Sequence, residues 1–489
     1  MKNISVIGAG ISGISAAAHL AKLGYQVDVF EKHDIPGGRA RQFKTQNGYT
    51  FDMGPSWYWM HDVFEHFFQH FGKSYADYYQ IVDLDPQFEV VFENDKLLIP
   101  KDFSELKALF ESIENGAGSR LDDFMRDAKY KYEISMSKYI EKPCQSITEF
   151  MTWDIIKSVF KLDLFTNFRA FVGKYFKDQK LISIMEFPVI FLGAAPKEIP
   201  AMYSLMNYGG LVMGTKYPMG GFFQVIEGMV AVAEEAGVKF HYNSNIDSIN
   251  VSDKKVTNLT TPTKNHISDA VVASADYHHI ESMLPASSRN YDSKYWDKRI
   301  LAPSALLFYI GLNGKLDGLK HHTLFFEPSL DEHLSDIYET KSWPRDPLFY
   351  VCCPSKSDES IAPFGHENLF FLMPIAPGTV DDKSKHDVYF DIMIQRLEKH
   401  LGINGIQQMI DYKRSYSVSD FQNDYNAYKG NAYGLANTLG QTAILKPAIS
   451  NQSLSNLYYT GHLTVPGPGL PPSIISGKIV ANEVHKSFK

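Results

Sequence analysis

Residues 4–31 read ISVIGAGISGISAAAHLAKLGYQVDVFE, and this stretch decides the fold. Residues 4–8, Ile-Ser-Val-Ile-Gly, have the short apolar run of a buried strand. Gly8, Gly10 and Gly13 follow at the spacing GxGxxG. Ile14 to Leu23, rich in alanine, reads as a helix, and Val27 to Phe30 as a second strand ending at Glu31. Each part has a physical task. Gly8 permits the tight turn, Gly10 lets the backbone approach a pyrophosphate, and Gly13 lets helix and strand pack closely. The helix N-terminus offers free N–H groups and the positive end of its dipole to the phosphates. Glu31 is positioned to accept hydrogen bonds from the ribose hydroxyls of an adenosine, which favours FAD or NAD over NADP. A glycine turn alone is weak evidence. Strand, glycines, helix, strand and acid in this order predict a dinucleotide-binding βαβ unit.

The next segment separates FAD from NAD. Lys32 is followed by Pro36-Gly-Gly-Arg-Ala40, then Gly48-Tyr-Thr-Phe-Asp52 and Gly54-Pro55-Ser56. Paired glycines allow close backbone approach to a flat ring system, and Arg39 can offset phosphate charge. Glu31 followed by this Gly-Gly-Arg resembles the flavin amine oxidase and phytoene desaturase superfamily. The resemblance implies FAD, with Gly-Gly-Arg along its flavin side. It implies cofactor contacts from Gly8, Gly10, Gly13, Glu31, Lys32, Gly38, Arg39, Gly54, Pro55 and Ser56.

The far end of the chain narrows the resemblance. Residues 457–477 read LYYTGHLTVPGPGLPPSIISG: a strand from Leu457 to Thr460, a Pro/Gly turn series, and a helix from about Ser473. The order Gly461, Pro466-Gly467, Gly469-Leu470-Pro471 is similar to that of the bacterial carotenoid desaturases. There this segment caps the flavin, which implies contacts from Gly461, Gly469, Pro471, Ser473 and Ile474. The middle agrees. Tyr217-Pro-Met-Gly-Gly221, a helix from Phe222 to Ala236 and Asn243-Ser-Asn-Ile-Asp247 resemble the desaturase segment that returns to the FAD domain, which implies that Ile246 meets the adenine. Ala275-Asp276 resembles the family's Ala-Asp strand ending near the cofactor, and residues 51–60 (FDMGPSWYWM) look like the lycopene-forming members. One departure matters. Thr464-Val465-Pro466-Gly467 stands where the family often has Thr-His-Pro-Gly, and His462 is out of register. No catalytic side chain is assigned. Asp420, Tyr428 and Tyr433 read as loop packing.

Composition sets limits. Hydrophobic residues make up 44% and charged residues 21%, as in an ordinary globular chain. Net charge is 48 − 56 = −8, which argues against a nucleic-acid partner. The cysteines, Cys144, Cys352 and Cys353, contain no CxxC pair, so neither a disulfide framework nor a cysteine zinc site is expected, and no metal. No apolar run reaches the roughly 18 residues a spanning helix needs. Residues 151–191 are locally basic and aromatic. Ile155, Ile156, Val159, Phe160, Phe165, Phe168 and Phe171 alternate with Lys157, Lys161, Arg169, Lys174 and Lys180. Such a helix suits anionic headgroups and acyl chains.

The expected fold class is α/β. A discontinuous Rossmann-like FAD-binding domain is drawn from 1–65, 215–290 and 445–489. An α+β substrate domain is drawn from 66–214 and 291–444, with a helical membrane-facing part. The resemblance implies a desaturase of a long-chain carotenoid hydrocarbon, carrying phytoene to lycopene by repeated hydride abstraction to flavin N5. Oxygen or a quinone would be the electron acceptor. The implied location is cytoplasmic, on the inner face of the cell membrane. Three readings compete: a desaturase of hydroxylated or later carotenoids, a flavin amine oxidase, and a non-catalytic prenyl-lipid escort on the same fold.

Overall fold

The structure, a computed structural model, describes residues 1–150 and 161–489. Asn3–Ile7 forms the middle strand of a five-stranded parallel sheet. The order is Leu457–Tyr459, Ala270–Ala273, Asn3–Ile7, Gln26–Phe30, Lys239–His241. Val6, Val29 and Val272 are fully buried, as in a parallel sheet covered on both faces. Strands from the beginning, middle and end of the chain thus share one sheet. The helix Ile11–Lys22 packs against the C-terminal helix Leu470–Ser487 and against Phe223–Glu235. Its Ala16, Ala17 and Ala18 are fully buried, and their small side chains permit that close approach.

A second sheet has seven strands. The order is Ile410–Tyr416, Ser304–Leu312, Glu367–Ile375, Phe349–Cys352, His322–Phe325, Phe88–Val91, Lys96–Ile99. Its pairs are antiparallel except that of His322–Phe325 with Phe88–Val91. The sequence suggests a single strand over residues 88–99. The chain folds there as a hairpin, turned where the Phe92 N–H donates to the Asp95 carbonyl at 2.8 Å. Glu93-Asn94-Asp95 interrupts the apolar run with turn formers. The helix Lys383–Leu401 buries Met393, Ile394 and Leu397 in the same core as Phe371 and Met373 of this sheet.

The basic aromatic run is described only in part. Ile155, Ile156, Lys157, Val159 and Phe160 lie outside the described residues. In the rest, Phe168, Phe171, Val172 and Phe176 point inward. Phe124 of the helix Ala117–Ile134 meets the rings of Phe171 and Phe176 at 5.4 and 6.3 Å. Arg169 is paired with Glu186 at 2.7 Å and Lys180 with Asp95 at 2.7 Å. The apolar spacing over Phe168–Tyr175 is therefore filled by neighbouring helices, as in any core-facing amphipathic helix. Among the described residues of this run, Phe165 is turned out, at 87% exposure. Among the described residues no helix is long and apolar enough to cross a membrane.

Candidate active site

One cavity of about 680 Å³ runs from the first glycine turn into the space beside the second sheet. The nucleotide end is built by the opening βαβ unit. Gly8 has φ +96°, and a Cβ there would lie 3.3 Å from the Ala275 nitrogen. A Cβ on Gly13 would collide with the Gly8 carbonyl oxygen and press on Ser274, so only glycine lets this helix start so near the strand. Glu31 is buried. Its carboxylate accepts from the Ala9 N–H at 2.8 Å and the His33 N–H at 3.0 Å, which holds it at the cavity edge with lone pairs to spare. Lys32 lines the cavity but donates to the Asn423 carbonyl at 2.7 Å.

Arg39 is the charged group at the centre. Its Nη2 donates to the Asn431 carbonyl at 3.3 Å, the Tyr425 ring lies 4.9 Å from its guanidinium carbon, and its Nε is buried without a partner. Burial pushes its pKa down, and the nearby Asp276 carboxylate pushes it back. Asp276 caps the helix Tyr277–Ser282 through the His279 N–H at 3.2 Å, and burial raises its pKa to about 6. A guanidinium held dry with a free donor is what an anionic phosphate would satisfy. Glycine cradle, ribose acid and buried guanidinium together fit a dinucleotide.

The structure brings most of the sequence-derived residues to this wall: Gly8, Gly10, Glu31, Lys32, Gly38, Arg39, Gly54, Pro55, Ser56, Ile246, Gly461, Gly469, Pro471 and Ser473 all line it. Gly13 does not; it acts through packing. Ile474 does not either. The last helix begins at Leu470, so Ile474 lies beyond its first turn and is buried, its carbonyl accepting from the Ser15 hydroxyl at 2.7 Å. Ser473 N–H is bonded to the Gly469 carbonyl at 3.0 Å, and Pro471 and Pro472 have no N–H, so this helix start offers few free donors. Asp420 caps the helix Val418–Tyr425, accepting from Ser417 N–H at 2.8 Å, and the Tyr428 hydroxyl donates to Asp297 at 2.8 Å. Tyr433 does line the cavity.

The structure adds wall residues to which the sequence assigns no role. Trp57, Trp59, Phe191, Leu205, Met206 and Leu372 form an apolar half beyond Ser56. Trp59 is fixed by its indole N–H, which donates to Thr215 Oγ1 at 2.8 Å. His462 lines the cavity with its Nε2 buried and unpartnered, and burial drives its pKa far down, so the ring is neutral. Leu439 and Ile444 line the cavity and are 42% and 40% exposed, which marks its rim.

A model of flavin-containing amine oxidoreductases matches residues 11–485. The chain belongs to this family. As a flavin-containing amine oxidoreductase it is an FAD-dependent oxidoreductase, and the dinucleotide the cavity fits is FAD. It is 38% identical over 483 residues (98% of this chain, 97% of the relative) to a carotenoid 3,4-desaturase of Haloarcula japonica. It is 30% identical over 498 residues (99% of each chain) to a 4,4'-diapophytoene desaturase (4,4'-diaponeurosporene-forming) of Staphylococcus haemolyticus. Solved structures share the fold at low identity. An oxidoreductase from Methanosarcina mazei has TM-score 0.63 at 16% identity, covering 97% of this chain and 99% of that one. A putrescine oxidase variant has TM-score 0.63 at 12% identity, covering 99% of each. The mixed α/β architecture of this flavin-containing amine oxidoreductase is thus that of FAD amine oxidase-type enzymes.

Proposed function

We propose that the chain is an FAD-dependent carotenoid desaturase. The observation that carries this reading is the apolar half of the cavity, continuous with the FAD end, in a chain 38% identical to a carotenoid 3,4-desaturase. Desaturation removes two hydrogens from adjacent carbons, one with its electron pair and one as a proton. Bound FAD supplies the hydride acceptor. The protein's part is to hold the polyene and exclude water. Trp57, Trp59 and Phe191 supply a rigid apolar wall, and a hydrocarbon needs no polar handle. An amine oxidase that holds its cationic substrate by charge would need an acid at the substrate end. The acids lining this cavity are Glu31, Asp276 and Asp424, and each is tied to the nucleotide end. The buried Arg39 disfavours an escort protein without FAD.

Two finer readings remain in view: phytoene carried to lycopene, and desaturation of a later carotenoid at its 3,4 bond. The name of the 38% relative favours the second. This reading takes 1–65, 215–290 and 445–489 as the FAD-binding domain and 66–214 and 291–444 as the substrate domain, supported by the three sources of the parallel sheet. It also takes the lipid surface as the source of substrate, with oxygen or a quinone as electron acceptor, on the inner face of the cell membrane. Support for the lipid contact comes from the rim. Leu439 and Ile444 are exposed there, and Leu445 and Phe165, each next in the chain to a cavity-lining residue, are 49% and 87% exposed.

The test is incubation of the FAD-loaded protein with liposomes carrying phytoene or later carotenoids, followed by pigment extraction. A longer polyene from a later carotenoid and none from phytoene supports the favoured reading. Lycopene from phytoene supports the other. No new polyene from any carotenoid, with turnover of an amine, would overturn both.

A further inference from the structure

Behind Ser56 and Trp57 of the cavity wall, three buried donors converge at one end of the second sheet. His322 of strand His322–Phe325 is the direct antiparallel partner of Cys352 on strand Phe349–Cys352. His321 precedes it. One ligand atom from each of His321, His322 and Cys352 lies within 4.8 Å of the other two, and all three residues are buried. Their hydrogen bonds leave lone pairs over. His321 Nδ1 meets Ser357 Oγ at 2.8 Å, and its Nε2 is buried with no partner. His322 Nε2 lies 3.1 Å from the Ser56 carbonyl, which can only accept, so this nitrogen carries the proton and Nδ1 the lone pair. Nδ1 is buried without a hydrogen bond. Tyr217, edge-on to His321 at 4.8 Å, also buries a hydroxyl without a partner. Leaving such buried groups unpaired is costly.

We propose that His321, His322 and Cys352 form a binding site for a zinc ion. Two imidazoles and a thiolate are a borderline-soft donor set, suited to zinc and unsuited to magnesium or calcium, which take oxygen. Three points no more than 4.8 Å apart have a common centre within 4.8/√3, about 2.8 Å, of each. Zinc binds nitrogen at about 2.0 Å and thiolate sulfur at about 2.3 Å, so small side-chain rotations close the site. As the Zn–S bond forms, the Cys352 thiol releases its proton to solvent. The role is structural. His322 stacks on Trp57 at 3.9 Å and 13°, and bonds the Ser56 carbonyl, so zinc there ties the cavity wall to the second sheet. Chain spacing hides this site because strand register, not a CxxC motif, assembles it.

The test is elemental analysis of the full-length FAD-bound protein, purified without a metal-chelating column from zinc-containing medium. Stoichiometric zinc is expected. Exchange with cobalt(II), with a water completing the three protein ligands to four, should give tetrahedral d–d bands at wavelengths beyond the flavin absorption. Cys352→Ser, nearly isosteric, should lose them, weakening cobalt binding by more than the about 10–100-fold that an outer-shell loss causes. Should that variant fail to fold, His321→Gln gives the same readout. Zinc far below stoichiometry with no cobalt bands, or bands unchanged in a folded ligand variant, would overturn the proposal.

Discussion

Arg39 carries the strongest prediction at the residue scale. It is enclosed by Asn431, Tyr425 and Asp276, with its Nε unpartnered. A charge-assisted hydrogen bond is worth about 1.5–3 kcal/mol, so Arg39→Met should weaken FAD binding about 10- to 150-fold, read by flavin fluorescence titration. Asp52 gives a pH prediction. Burial raises its pKa from 3.8 to about 6, although the Phe222 N–H and the Gln42 side chain oppose the shift. A raised carboxyl pKa means that the folded protein binds the proton more tightly than the unfolded chain. The stability it adds is complete below about pH 3.8 and lost as pH rises through about 6. On lowering pH from about 7 to about 5, urea unfolding should therefore shift toward the wild type relative to Asp52→Asn, by on the order of 1 kcal/mol. A gap that is constant with pH would contradict this. Glu31 was legible because its role follows from its place after a strand and a glycine turn. His462 was not, since its neutral state and its place on the wall depend on burial by residues remote in sequence.

Packing of the first and last helices is the test at the scale of elements. Gly477 sits at their contact, where a Cβ would lie 2.5 Å from the Ser12 carbonyl oxygen and 2.6 Å from the Ala16 nitrogen. Gly477→Ala should destabilise the protein by about 1–3 kcal/mol through overpacking, despite alanine's better helix propensity, measured as a lower unfolding midpoint. An unchanged midpoint would mean that the two helices separate at no cost. The opening βαβ unit could be read directly because its signals are local. Gly469 caps the last helix, so its true start at Leu470 moves Ile474 from the tip to the helix interface. Strands His322–Phe325 and Ile410–Tyr416 escaped the sequence reading. The first is only four residues long, and the second places Asp411, Lys413 and Arg414 among its apolar positions. Residues 168–176 have the spacing of an amphipathic helix, which fits a protein core as well as a lipid surface; only the packing of Phe124 against them decides for the core.

For the whole molecule, the cavity joins a charged, glycine-lined end to an apolar end that opens at Leu439 and Ile444. If the rim meets lipid, the double variant Leu439→Asp, Ile444→Asp should lose co-sedimentation with liposomes and turnover of liposomal carotenoid by about tenfold or more, while FAD binding is unchanged. Equal co-sedimentation of variant and wild type would count against the lipid contact. The central claim is that this cavity presents a carotenoid to FAD for desaturation. It is tested most directly by mixing the FAD-loaded protein anaerobically with liposomes carrying carotenoid and following flavin absorbance near roughly 450 nm. The account predicts bleaching that keeps step with the appearance of new double bonds. Flavin that stays oxidised with every carotenoid, or a protein that binds no FAD, would contradict it.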